Sequence, residues 1–318
     1  MTDPKGIEPP PHVGWQASRW VTPNELSLPL EDFGVLQGVS VVDRIRTASG
    51  RLVDLDWHLE RFEAGADALG IHLIAMDELR HLCTECVKRR SALLEQNHTD
   101  GEDFALVLFA TPGSVHSTNI NRDANLMLHT ADLPAQRLSH FYRHGQDLVV
   151  VPREVVPQSI WSPQIKTRCR LHYYLAETEA RQSVPGAGAV LSTCHGDLGD
   201  TSISNLLVVK ANTIYTPPSS EVLHGITLRR ILQLAEEESL KVVTQPIPQD
   251  FALNADELLC TGTSALLWPA RTLTTLEPVR QQREWSTPHN APIYRQLCKL
   301  ISKWLSYDYQ ADFITPRT

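Results

Sequence analysis

What the sequence lacks narrows its class before any motif is considered. No run of about 18 apolar residues occurs, so no transmembrane helix is expected. Basic residues are outnumbered: 29 Lys and Arg face 37 Asp and Glu, a formal net charge of −8. General nucleic-acid binding relies on basic surface to neutralise phosphates, so no nucleic-acid partner is expected, although a local basic pocket for one anion stays open. Cysteine is sparse and scattered, at Cys83, Cys86, Cys169, Cys194, Cys260 and Cys298. The CxxC pair Cys83/Cys86 falls short of the four ligands of a closed zinc site. It lies in MDELRHLCTECVKRR, which reads as an amphipathic helix where positions i and i+3 share a face. These are read as ordinary helix cysteines, with metal or redox chemistry as the alternative, and no metal is expected. The N-terminal MTDPKGIEPPPHVGW is polar and Pro-rich, without the apolar core of a secretory signal. The expected location is the cytoplasm, and residues 1–12 read as a loose arm.

What is present suits a globular protein. The 318 residues suffice for two domains, and hydrophobic residues make up 42% against 21% charged. Alternating apolar and polar residues in GVLQGVSVVDRIRTASGRLVDLD, with Ser49-Gly50 at the turn, predict a β-hairpin. His58 to Leu69 is helical by its stripe of Leu59, Phe62, Ala66 and Leu69, and a second helix is predicted over 76–95. FALVLFATPG and NLMLHTADLP read as strands. The polar LPAQRLSHFYRHGQ then marks a candidate linker. After it come QDLVVVPREVV as a strand, a helix over about 168–182, the strands GAGAVLST and SNLLVVKANTIYTPP, and a helix over 226–238. KVVTQPI and ADELLCTGTSALLWPARTL read as further strands, and a last helix covers about 290–305. The fold class read from this order is α+β, with a small domain at 1–131, a linker at 132–139 and a large domain at 140–318.

Four separated segments carry groups suited to a phosphorylated aldehyde. In IKTRCRLHYYLAETEA, Lys166 precedes a helix; a lysine amine deprotonated by its surroundings forms an imine with an aldehyde, whereas a solvated lysine does not. In HGITLRRILQLAEEE, Gly225, Ile226 and Thr227 open a helix, which makes either an anion site or a plain N-cap. CTGTSALLWPA sets Thr263 and Ser264 in a polar turn after an apolar strand, fit to meet an anion or simply to turn the chain. In WHLERF, Arg61 offers a fork of donors to a phosphate, or to a neighbouring carboxylate.

Together, in this order and spacing, these segments resemble the class IV aminotransferase family of pyridoxal 5′-phosphate (PLP) enzymes. That family includes branched-chain aminotransferases, D-amino acid aminotransferases and aminodeoxychorismate lyases. The resemblance spans roughly residues 32–275 and is most specific in the SISN…YTPP…GIT run. It implies a two-domain fold type IV enzyme with the cofactor in the interdomain cleft, working as a homodimer. It implies that Lys166 forms the Schiff base and carries the proton between substrate and cofactor. Arg61, Ile226, Thr227 and Thr263 would bind the phosphate. Asp200 stands where the family has Glu and would pair with the pyridine nitrogen, one methylene short of the usual reach. The preceding STCHGDLG is irregular for the family's hairpin. Pocket candidates are Val42, Arg170, His172, Ser264 and His116. Val42 replaces an aromatic residue, Leu171 replaces a tyrosine, and TPGSVHSTN lacks the arginine of the D-specific enzymes. The implied activity moves an amino group between a branched-chain-like or other amino acid and a 2-keto acid. The alternatives are an aminodeoxychorismate lyase on the same cofactor, and an inactive scaffold.

Overall fold

The computed structural model describes residues 12–97, 102–117, 124–277, 279–285 and 291–314. Most of the expected N-terminal arm lies outside these residues. The chain divides into two compact units. The first runs through Leu133 and takes in Lys166–Cys169; the second holds Pro134–Ile165 and everything from Arg170 onward.

In the first unit, β1 (Gly14–Gln16), β2 (Arg19–Val21), β3 (Val41–Ala48), β4 (Arg51–Leu52), β5 (Phe104–Thr111) and β6 (Asn125–Asp132) form one sheet. Its order is β2-β1-β6-β5-β3-β4. The short helix α1 (Phe33–Leu36) precedes β3, and α2 (Leu55–Ala68) and α3 (Met76–Gln96) lie between β4 and β5. Ser49 and Gly50 take φ of 50° and 73°, the left-handed pair that a two-residue hairpin turn needs. Leu59, Phe62 and Ala66 of α2 and Leu79, Cys83 and Cys86 of α3 pack with Val41, Ile45, Leu106 and Leu108 of the sheet. The two cysteines of the CxxC are therefore core residues. Burial pushes both thiols up to about 12, so they act as small apolar groups.

The second unit opens with α4 (Ala135–His144). The polar stretch expected as a linker at 132–139 contains the division between the units, at Leu133/Pro134, and α4 begins within it at Ala135. Its Leu138, Phe141 and Tyr142 are buried at a helical spacing of three and four, a stripe hidden by the polar residues between them. The sheet comprises β7 (Gln146–Glu154), β8 (Gly188–Ser192), β9 (Leu198–Thr201), β10 (Asn205–Lys210), β11 (Thr213–Thr216), β12 (Lys241–Thr244), β13 (Glu257–Gly262), β14 (Leu266–Thr275) and β15 (Gln281–Glu284). Its order is β12-β11-β10-β13-β14-β7-β8-β9, with β15 paired to β14. Pairings β11–β12, β14–β7 and β7–β8 are parallel. Helices α5 (Leu171–Ser183), α6 (Ile226–Glu237), α7 (Gln249–Leu253), α8 (Pro292–Leu305) and α9 (Ala311–Ile314) complete the unit. Ala176 and Ala180 of α5, one turn apart, pack against Val149, Val151, Ala189 and Leu191. Small side chains there let the helix sit close to the sheet. No helix among the described residues is long and apolar enough to cross a membrane.

Candidate active site

Lys166 lies in an irregular stretch between β7 and α5, yet its backbone belongs to the first unit. The reason lies in β3. Its partner β4 is two residues long and pairs only at Thr47 and Ala48, so the outer edge near Val42 is not taken by β4. The Val42 N–H donates to the Lys166 carbonyl at 2.8 Å. Next along, the Arg168 N–H donates to Ser40 Oγ at 3.2 Å, and Ser40 Oγ meets Thr167 Oγ1 at 3.4 Å. These bonds set the lysine's backbone on a rigid strand. Val42 itself is buried. Because strand side chains alternate, it lies on the opposite sheet face from Val41, which packs under the helices.

One residue on, Asp43 is fully buried and organises Arg61 and His58. Arg61 Nε donates to Asp43 Oδ2 at 2.9 Å and Nη2 to Oδ1 at 2.8 Å, a bidentate pair. His58 Nδ1 lies 2.8 Å from Asp43 Oδ1. Burial by itself would raise the Asp43 carboxyl; the charge of Arg61, with the hydrogen bonds from His58 and Arg61, outweighs it and holds Asp43 well below the usual range. Burial also lowers His58, against the pull of Asp43. The consistent assignment is an ionised Asp43–Arg61 pair beside a neutral His58. Since a carboxylate only accepts, Nδ1 of that neutral ring carries the proton. The pair fixes the plane of the Arg61 guanidinium.

In the second unit, Asp200 of β9 is buried in a closed network. Its Oδ1 accepts from Asn205 Nδ2 at 2.7 Å, and its Oδ2 from the Leu223 N–H at 3.0 Å. Asn205 Nδ2 also donates to the Leu223 carbonyl at 2.6 Å. Two residues later Gly225 caps the start of α6. A Cβ on Gly225 would fall 2.1 Å from Asn205 Oδ1, so only glycine lets the helix begin this close. No side chain of Gly225 caps the first turn, which begins with the buried Ile226 and Thr227. The turn between β13 and β14 reaches the same place: a Cβ on Gly262 would lie 2.6 Å from the Ile203 carbonyl. Thr263 and Ser264 follow it, half-buried.

Within this unit, Asp200, Ile226, Thr227, Thr263 and Ser264 are thus held around Ile203–Asn205. Arg170, ahead of α5, donates to the Ser202 carbonyl and stacks 4.5 Å over the Tyr173 ring. The His172 ring centroid is 4.1 Å from that of Tyr173. Burial, and then the Asp200 charge, raises the Tyr173 phenol, which stays protonated at neutral pH. His116 belongs to the first unit, exposed in a turn where its N–H donates to Ser114 Oγ at 3.2 Å. The end of TPGSVHSTN lies outside the described residues. The sequence reading missed Ser40, His58, Leu223 and Tyr173 as supporting residues. Asn205 carried a signal, as the Asn of SISN, without a stated partner.

The fold of the chain is that of the fold type IV aminotransferases. Solved structures share it: an aminotransferase from Brucella abortus bound to PLP superposes with a TM-score of 0.77 at 17% identity, covering 93% of this chain and 99% of that one. The sequence pattern of the amino-transferase class IV family matches residues 40–273, and the chain belongs to that family. A D-alanine aminotransferase from Bacillus licheniformis is 26% identical over 255 residues, 79% of this chain and 84% of the relative. A probable branched-chain-amino-acid aminotransferase from Rickettsia felis is 24% identical over 228 residues, 71% and 74% of the two chains.

Proposed function

We propose that this class IV aminotransferase uses PLP to move an amino group between an amino acid, branched-chain-like or other, and a 2-keto acid, working as a homodimer. The residues fit the cofactor in kind. Asp200 offers a buried carboxylate for a cationic ring nitrogen. The start of α6, with Thr227 and an N-cap lacking a side chain, suits a phosphate dianion. Thr263 adds a hydroxyl, and Arg61 a guanidinium held in a fixed plane by Asp43. The observation that carries the reading is the Asp200–Asn205–Leu223 network, because it ties the carboxylate to the approach to α6.

When bound, PLP supplies an electron sink for the bond broken at the substrate Cα. Lys166 Nζ would hold the cofactor at its aldehyde carbon and would move the substrate Cα proton as general base and acid. Asp200 keeps the ring nitrogen protonated. Arg170 and His172 orient the substrate carboxylate. The test is borohydride reduction of the purified protein followed by peptide mapping. The adduct is expected on Lys166 and the near-ultraviolet to visible cofactor band is expected to vanish in Lys166→Ala; an adduct on another lysine overturns the assignment. An amino donor alone should convert the cofactor to its aminated form, whereas a lyase would release pyruvate from aminodeoxychorismate without that build-up.

A further inference from the structure

The turn between β8 and β9, in the STCHGDLG stretch that departs from the family's pattern, carries two adjacent metal-ligating side chains. We propose that Cys194, His195 and Glu221 form a surface site for a divalent transition-metal ion, with zinc as its expected occupant. Cys194 Sγ, an imidazole nitrogen of His195 and a carboxylate oxygen of Glu221 all lie within 4.8 Å of one another. Ligand atoms around one tetrahedral zinc stand roughly 3.3–3.8 Å apart, given bonds of about 2.0–2.3 Å. The three groups need to draw together by at most roughly 1.5 Å, within the reach of rotamer changes at two exposed side chains and one half-buried one.

The backbones that carry them are held independently of any ion. Thr193 N–H donates to the Asp197 carbonyl at 2.7 Å, Gly196 N–H to the Thr193 carbonyl at 3.0 Å, and His195 N–H to Thr193 Oγ1 at 3.2 Å. Gly196, at φ 83°, supplies the left-handed residue that closes this turn. Glu221 comes from a different segment. Its N–H donates to the Pro218 carbonyl at 3.0 Å, and Gln164 Nε2 donates to the carbonyls of Ser219 and Val222 on either side, at 2.5 and 2.8 Å. Two rigid turns of the second unit therefore bring three ligand types to one place.

The donor set selects the ion. A thiolate with an imidazole and one carboxylate suits zinc and its neighbours in the first transition row, and poorly suits magnesium or calcium, which take oxygen ligands. Three protein ligands leave a fourth position for water, and coordination releases the Cys194 thiol proton to solvent. The two turns are also the two arms that meet at Asp200. The Cys194–His195 turn leads directly into β9, which carries Asp200, and Glu221 stands two residues before Leu223, whose N–H donates to Asp200. A bound ion would clamp these arms together on the outside of the network. The site does not depend on the proposed activity, because binding is read without turnover.

The test uses the full chain with its cofactor, freed of metal by a chelator and then given zinc. Competition with a chromophoric chelator should give one zinc per chain. Zinc should slow iodoacetamide alkylation of Cys194, followed by peptide mass spectrometry, by about tenfold or more, and magnesium should not. Cys194→Ala, His195→Ala and Glu221→Ala should each weaken zinc binding by about tenfold or more, with unchanged circular dichroism. Protection of Cys194 that survives in both His195→Ala and Glu221→Ala would show a thiol acting alone and would overturn the site. So would zinc binding equal in all three variants, or less than one ion per chain at saturation.

Discussion

Replacing Asp200 by Asn keeps the shape of the side chain and removes its charge. An opposite charge within about 4–6 Å shifts a titrating group by roughly 1–3 pKa units, each about 1.36 kcal/mol. If Asp200 holds the ring nitrogen protonated, the Asp200→Asn variant forfeits about 1.4–4 kcal/mol of that preference, and Cα proton abstraction should slow by about ten- to a thousand-fold. The variant also has a local structural cost. Both carboxylate oxygens accept hydrogen bonds, at 2.7 Å from Asn205 and 3.0 Å from Leu223. An amide keeps one of them and sets N–H against N–H at the other, at about 1–3 kcal/mol of stability. Thermal melting therefore reports the network, and single-turnover kinetics with an amino donor reports the charge. Asp200→Glu keeps the charge but adds a methylene to a buried, satisfied network, for about 1–3 kcal/mol of overpacking. It should lose stability more than it loses the proton-transfer rate. A folded, cofactor-loaded Asp200→Asn protein reacting at the wild-type rate would refute the role given to Asp200.

Arg61→Ala takes the paired cation from the fully buried Asp43 carboxylate, leaving it hydrogen bonds such as that from His58, and should lower stability by about 3–5 kcal/mol as read by denaturant unfolding; apoenzyme titration should also show PLP affinity down about ten- to a hundred-fold if Arg61 grips the phosphate. An unchanged affinity would leave Arg61 as a structural partner of Asp43 alone. Acid stability should carry two signatures. His58 is lowered by folding, so its contribution is complete above about 6.5 and is lost as pH falls below that value; Asp43 is lowered too, so its contribution is complete above about 4 and is lost at more acid pH. Melting temperatures of His58→Gln should show a weaker decline below about pH 6.5 than wild type, and an identical decline would contradict the neutral assignment. In the native protein, Cys194 should react with iodoacetamide well before Cys83 or Cys86, which are buried with thiols pushed up to about 12. Equal rates would show that α3 opens readily.

Much of the chain's local structure was determined by sequence alone, because local structure writes itself in short periods. The Leu59–Phe62–Ala66 stripe, the Ser49-Gly50 turn and the alternation of β3 each depend on neighbours within about four residues. The family was legible for a related reason: its motifs are short runs, each with its own turn or helix start. Helix α4 was the exception, because polar residues between Leu138, Phe141 and Tyr142 hid a three-residue stripe. Only the tertiary structure decided what the chemical groups rest on. Lys166 hangs its carbonyl on Val42, far earlier in the chain; Asp43 chooses Arg61 and His58; Asp200 closes on Leu223 through Asn205. These bonds join buried donors and acceptors far apart in the chain, and no period records them. They form because a polar group taken out of water must find a partner among whatever packing brings beside it. The same principle accounts for the fit of Asp at position 200: the surrounding turns close on the shorter side chain, with Asn205 and Leu223 as its donors.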